Sequence, residues 1–124
     1  MKMLLLDVEN KKVKVVEANG LNDYYKFIDC NYVDIIHRRI GDIEAEIVID
    51  DEGALVENPK ISAIDVTGEP MLFGNLLVAS RRVTNDGELT ELTQDEVDAL
   101  VDNIATITTS VYREPYPVFV EIDY

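Results

Sequence analysis

At 124 residues the chain is long enough for one domain with a real core and too short for two, and its 47% apolar content is that of a folded globule. The charge is lopsided: 25 acidic against 11 basic side chains leave a formal net of −14, a field that repels nucleic acid and anionic membranes and favours basic partners. A single cysteine, Cys30, excludes an internal disulfide, and with no apolar run near the ~20 residues of a membrane span and no signal-peptide core in Met1–Asp7, the expected location is the cytoplasm.

Taken in order, Met3–Val8 and Val13–Glu17 read as strands joined by Asn10-Lys11-Lys12, an opening hairpin that Asn19-Gly20 ends. Leu21, Tyr24, Tyr25 and Ile28 lie at helical spacing and predict one short N-terminal helix. Tyr32–Ile40 is a β-branched run. It carries His37, the only histidine, whose place between Ile36 and Arg38 suits a structural role. Gly41-Asp42 turns it into Ile43–Asp50, where Ile43, Ala45, Ile47 and Ile49 alternate with Glu44, Glu46 and Asp50, interrupted only by Val48. Same-face residues on a strand stand ~6.8 Å apart, so those carboxylates form a row, continued by the turn Asp51-Glu52-Gly53. Antiparallel pairing of the two strands is expected to set Arg38 and Arg39 beside Glu44 and Glu46.

Ala54–Val56 is short and Asn58-Pro59 is a break; Lys60–Asp65 fits either a helical turn or two or a strand. After the loop Gly68-Glu69-Pro70, Leu76–Val83 is a strand ending in Arg81-Arg82, and Asn85-Asp86-Gly87 is a turn. Thr93-Gln94-Asp95-Glu96 has the form of a capping box, from which Val97, Leu100, Val101, Ile104 and Ile107 or Thr108 trace one apolar face of a long helix. Glu91, Asp95, Asp98 and Asp102 make a second acidic stripe on it. The helix macrodipole accounts for Asp95 and Glu96 near the N-terminus but not for Asp98 and Asp102. Arg113–Pro117 reads as extended linker, and Val118–Tyr124 as a last strand or docking tail, able to add to a sheet edge in its own molecule or, as a route to a homo-oligomer, in a neighbour's.

The expected architecture is therefore α+β: a single small domain over 1–112, mostly antiparallel sheet with one short N-terminal helix and one long capped C-terminal helix, plus an extended C-terminal strand or tail over 113–124. Residues 1–40 carry 7 basic and 6 acidic groups, and residues 41–124 carry 4 and 19, so the whole acidic excess lies in the last two thirds.

The stretches Ile47–Leu55, Asn58-Pro59 and Phe73-Gly74-Asn75-Leu76-Leu77-Val78 resemble the small bacterial, plasmid and phage proteins grouped as domain of unknown function 3846, over roughly residues 3 to 105. In that family an acidic-Gly turn follows a strand, a proline comes soon after, and a Gly-Asn or Gly-Asp step opens another strand. The resemblance implies a small α+β domain and a mobile-element setting. It supplies no catalytic residues.

No nucleophile elbow, Gly-rich phosphate loop or His/Cys metal cluster is present, and Asp50, Asp51, Glu52 and Glu57 lack the spacing and glycine of a calcium loop. Neither enzyme activity nor a metal or cofactor is expected. The leading expectation is a non-enzymatic acidic binder of a mobile element that inhibits a host nucleic-acid-handling defence system, of anti-CRISPR or anti-restriction type, by charge mimicry. Glu44, Glu46, Asp50, Asp51, Glu52, Asp95, Asp98 and Asp102 would occupy a basic, nucleic-acid-binding groove without touching nucleic acid or membrane. One alternative is a sponge for a nucleotide immune signal, its phosphates held by Arg38, Arg39, Arg81 and Arg82; another is an acidic adaptor or assembly subunit.

Overall fold

The computed structural model of the chain describes residues 1–53, 55, 59–83, 89–108 and 114–123, with the side chains of 82 and 83 excepted. In chain order the elements are β1 (Lys2–Asp7), β2 (Lys12–Glu17), α1 (Leu21–Ile28), β3 (Val33–Ile40), β4 (Ile43–Asp50), β5 (Ile61–Ile64), β6 (Pro70–Phe73), β7 (Leu76–Val83), β8 (Leu89–Thr90), α2 (Gln94–Asp102), β9 (Ile104–Ile107), β10 (Tyr116–Phe119) and β11 (Ile122–Asp123). The larger sheet runs β11-β3-β4-β7-β1-β2, with β8 beside β7; the smaller runs β6-β5-β10-β9. Pairing is antiparallel except between β10 and β5.

The large sheet is covered on both faces, and the sequence shows why. In β1, Met3 and Leu5 pack with Tyr24 and Ile28 of α1, whereas Leu4 and Leu6 pack with Val118 and Phe119 of the smaller sheet. Alternation of side chains across the strand divides one apolar run between two cores. β4 obeys the same rule with a different outcome. Ala45 and Ile47 join the inter-sheet core, and Val48 is the one residue of the opposite face that lies under α1. The break that Val48 makes in the acidic row is the footprint of the helix.

Two observations correct the expected architecture. The chain is mostly strand, arranged in two sheets, and both helices are short; the capped helix α2 stops at Asp102, and Ile104–Ile107 is the strand β9. Asn103 donates its N–H to Leu100 and Val101 and closes the helix. Ile104 and Ile107 fit the helical apolar spacing, but Ile104, Thr106 and Ile107 are β-branched, and the partner strand β10 pairs with all four residues from Phe119↔Ile104 to Tyr116↔Ile107. The available ladder outweighs the period.

The C-terminal segment is built into the interior of its own chain. β10 lies between β5 and β9, and Tyr116, Val118, Phe119 and Ile122 are all buried at 2% exposure or less. β11 then crosses to the large sheet, where Ile122 and Asp123 pair with Ile40 and Arg39. Of the segments read as Ala54–Val56, Asn85-Asp86-Gly87 and Arg113–Pro117, residues 54, 56, 85–87 and 113 lie outside the described residues, as do Asn58 and Tyr124. Among the described residues, no helix is long and apolar enough to cross a membrane.

Candidate functional site

The register of β3 on β4 places Arg39 opposite Glu44 and His37 opposite Glu46, on the face turned away from the inter-sheet core, while Arg38 falls opposite Ala45 on the other face. The ion pairs are distributed differently from the sequence expectation. Arg39 reaches outward to Asp123 of β11 at 2.9 Å, and Glu44 is held by Arg81 of β7. Glu46 meets His37 Nδ1 at 2.9 Å, with His37 Nε2 3.8 Å from Glu44. Arg38 donates to the carbonyl of His37 at 2.7 Å. Asp123, Arg39, Glu44 and Arg81 thus alternate in sign across four strands, and the local charge nearly cancels.

Beside this ladder lies an open concavity of about 760 Å³ lined by Arg39, Asp42, Ile43, Glu44, Arg81, Thr93 and Glu96. Arg39 and Arg81, two of the four arginines assigned to a phosphate ligand, border it already facing carboxylates. Arg38 is on the opposite face, and the side chain of Arg82 is outside the described residues.

At the far end of β4, Asp50 Oδ1 accepts the N–H of Glu52 at 2.9 Å, forming the turn that leaves Asp51 and Glu52 exposed. Gly53 closes it against β6: a Cβ there would stand 2.8 Å from the carbonyl oxygen of Phe73. That contact brings the acidic-Gly turn onto the Phe73-Gly74-Asn75 step. Gly74, at φ 82°, donates to Lys60 O, and the buried Asn75 side chain accepts from the N–H of Val8 and donates to Phe27 O at 3.2 Å. Both motif pieces join chain segments, so their chemistry is architectural. Asp34 is at the same end, registered with Ile49 next to the Val33 and Asp50 pair; Asp51 donates its N–H to Tyr32 O, and Asp29 and Asp50 both act on the Cys30 thiol. Burial, and then the Asp50 carboxylate, push the Cys30 thiol up from its ordinary value, which makes it a poor nucleophile.

On α2 the capping box is present in full. Thr93 Oγ1 accepts the N–H of Glu96 at 3.2 Å, and Glu96 Oε1 accepts the N–H of Thr93 at 3.0 Å. Glu96 Oε2 also accepts the hydroxyl of buried Ser80, so this carboxylate is committed to structure. Asp95, Asp98 and Asp102 are exposed on the helix, with no ion pair to any of them among the described residues. Asp98 accepts a hydrogen bond from Gln94 at 2.9 Å. The last turn of α2 contains no basic residue, so Asp102 sits at the end of the helix where the macrodipole disfavours an anion. Asp95, Asp98 and Asp102 span about 10 Å of helix axis at 1.5 Å per residue.

The eight carboxylates named from the sequence are therefore three groups. Glu44 and Glu46 are internally paired, Asp50, Asp51 and Glu52 form a turn at one end of the sheet, and Asp95, Asp98 and Asp102 form a row on α2. Among the described residues no group of three or more His, Cys, Asp or Glu side chains is arranged to hold a metal ion.

The family model described as Domain of unknown function (DUF3846) matches residues 1–105, and the chain belongs to that family. No curated protein and no solved structure matches it.

Proposed function

We propose that this member of the family is a non-enzymatic acidic binding protein that docks on the basic, nucleic-acid-binding surface of another protein and keeps nucleic acid out of it. The observation that carries the reading is the row Asp95, Asp98 and Asp102. Its carboxylates are exposed and lack basic partners among the described residues, and Asp102 is placed where it weakens its own helix. Residues that oppose the stability of their own fold are expected where binding repays the loss. Spacing supports the same reading: helix neighbours three or four residues apart hold their Cβ atoms about 5–6 Å from each other, comparable to the dense charge a duplex offers a cationic groove.

The fine assignment is a cytoplasmic mobile-element protein acting against a host defence nuclease of anti-CRISPR or anti-restriction type. Because Arg39 and Arg81 face Asp123 and Glu44, capture of a nucleotide phosphate gains no support from these two arginines. The strand carboxylates are likewise reassigned, since Glu44 and Glu46 stabilise the sheet and the docking charge rests on α2 and on Asp50, Asp51 and Glu52.

The test compares the wild-type chain with Asp95→Asn/Asp98→Asn/Asp102→Asn as inhibitors of a panel of CRISPR and restriction nucleases. Wild-type inhibition should weaken steeply between about 50 mM and about 200 mM salt, and the triple variant should inhibit poorly even at the lower value. Equal inhibition by the two proteins sinks the proposal.

A further inference from the structure

The two edges of the large sheet are finished differently. β2, at one edge, carries Lys12 and Lys14 as exposed side chains, a common device against edge-to-edge pairing. At the other edge, among the described residues, β11 pairs with Ile40 and Arg39 of β3. No described strand pairs with Val33–His37 on the side away from β4, although that stretch is registered with β4 throughout. Two hydrogen bonds identify the outward groups. The N–H of Ile35 is taken by the carboxylate of Asp34 at 2.9 Å, and the carbonyl of His37 by the guanidinium of Arg38 at 2.7 Å. In an antiparallel ladder such groups alternate, so Val33, Ile35 and His37 direct their backbone polar groups outward. Side chains stand in for a missing strand.

We infer that this segment of β3 is a docking edge, at which an extended, basic segment of the partner protein adds as a further strand. Charge complementarity selects the occupant. Asp34 lies within the open stretch, Asp50 is registered with Val33 and leads into the exposed Asp51-Glu52 turn, and the two neighbouring arginines are engaged, Arg38 on the carbonyl of His37 and Arg39 on Asp123. An incoming strand with lysine or arginine at alternate positions displaces the two local caps, bonds to Val33, Ile35 and His37, and sets its cations on the face of Asp34, within the field of the Asp50-Asp51-Glu52 turn. Ile35, 42% exposed on the other face, gives the intervening apolar residues something to cover. A second copy of the chain is the poorer occupant because it brings the same net charge of −14. This inference rests on the acidic-binder reading and adds to it where and how the partner chain is held.

The experiment is a titration of the isotope-labelled full chain with a Lys-Val-Lys-Val-Lys-Val peptide, followed by amide chemical shifts and hydrogen exchange. Slowed exchange centred on Val33, Ile35 and His37 is expected, together with loss of binding when the peptide is N-methylated at alternate residues. Ile35→Pro removes an outward N–H without touching the bonds to β4, the place where an edge strand accepts proline, and should weaken binding about tenfold while the melting temperature stays near wild type. If that variant does not fold, the N-methylated peptide decides alone. Shifts confined to Glu91–Asp102 and equal for both peptides overturn the docking edge while leaving the acidic-binder reading standing. No shift anywhere, at low salt, overturns both. Growth of a dimer in light scattering, abolished by Ile35→Pro, assigns the edge to a second copy and overturns the basic occupant.

Discussion

Replacing Asp102 by Asn should make the isolated protein more stable and a worse binder. Asp102 ends α2, and the last turn offers it no basic neighbour. Removing an anion from a helix C-terminus is worth about 0.3–1 kcal/mol at low salt, and relieving the i,i+4 repulsion from Asp98 adds about 0.2–0.5 kcal/mol. The sum is a gain of about 0.5–1.5 kcal/mol, which for a domain of this size raises Tm by about 2–6 °C. The assay is thermal unfolding at about 20 mM and about 1 M sodium chloride, because screening within ~3 Å at the higher salt should erase most of the difference. A lower Tm at low salt, or a gain that survives 1 M salt unchanged, refutes the reasoning, since either outcome means that the carboxylate makes a short-range contact of its own.

Thr93→Ala removes the acceptor for Glu96 N–H and half of the capping box, and should lower stability by about 1 kcal/mol in urea titration. Gly41→Ala forces a side chain into a residue at φ 60° and drives its Cβ into the side-chain amide of Asn103. The combined strain and overlap should cost about 1–3 kcal/mol, read as a lower denaturation midpoint with unchanged slope. Asp65 accepts the hydroxyl of Thr67 and the N–H groups of Thr67 and Glu69 in the β5–β6 loop, and the Thr67 hydroxyl first, then the Glu69 amide, holds its carboxyl below the ordinary 3.8. A lowered folded value stabilises the protein above pH 3.8 and loses that contribution as pH falls through the folded value. Asp65→Asn should flatten this limb of the acid-unfolding curve.

Local signals were legible wherever a residue acts through its own neighbours. The first hairpin, α1, the β3–β4 pair and the Thr93–Glu96 box follow from period, turn residues and capping chemistry inside a window of ten or twenty residues. Lys60–Asp65 admitted two readings and became the strand β5. The long helix failed for the same kind of cause. Ile104 and Ile107 satisfy both a helical face and a strand, and the choice was made by β10, a dozen residues farther along the chain.

The sequence by itself determined the acidic character, the alternation of β4, the capped start of α2 and the family. Each depends on composition or on spacing along one segment. Only the tertiary structure decided which carboxylates are committed and which are available. Glu44 and Glu46 look like bait in the strand pattern, yet Arg81, 37 residues away, and His37 occupy them, while Asp95, Asp98 and Asp102 have no ion-pair partner among the described residues. The physical reason is that a charge's value for binding depends on what lies within a few ångströms of it, and in a sheet those neighbours are set by strand order. β7 lies beside β4 and β11 beside β3 only once the whole chain has folded.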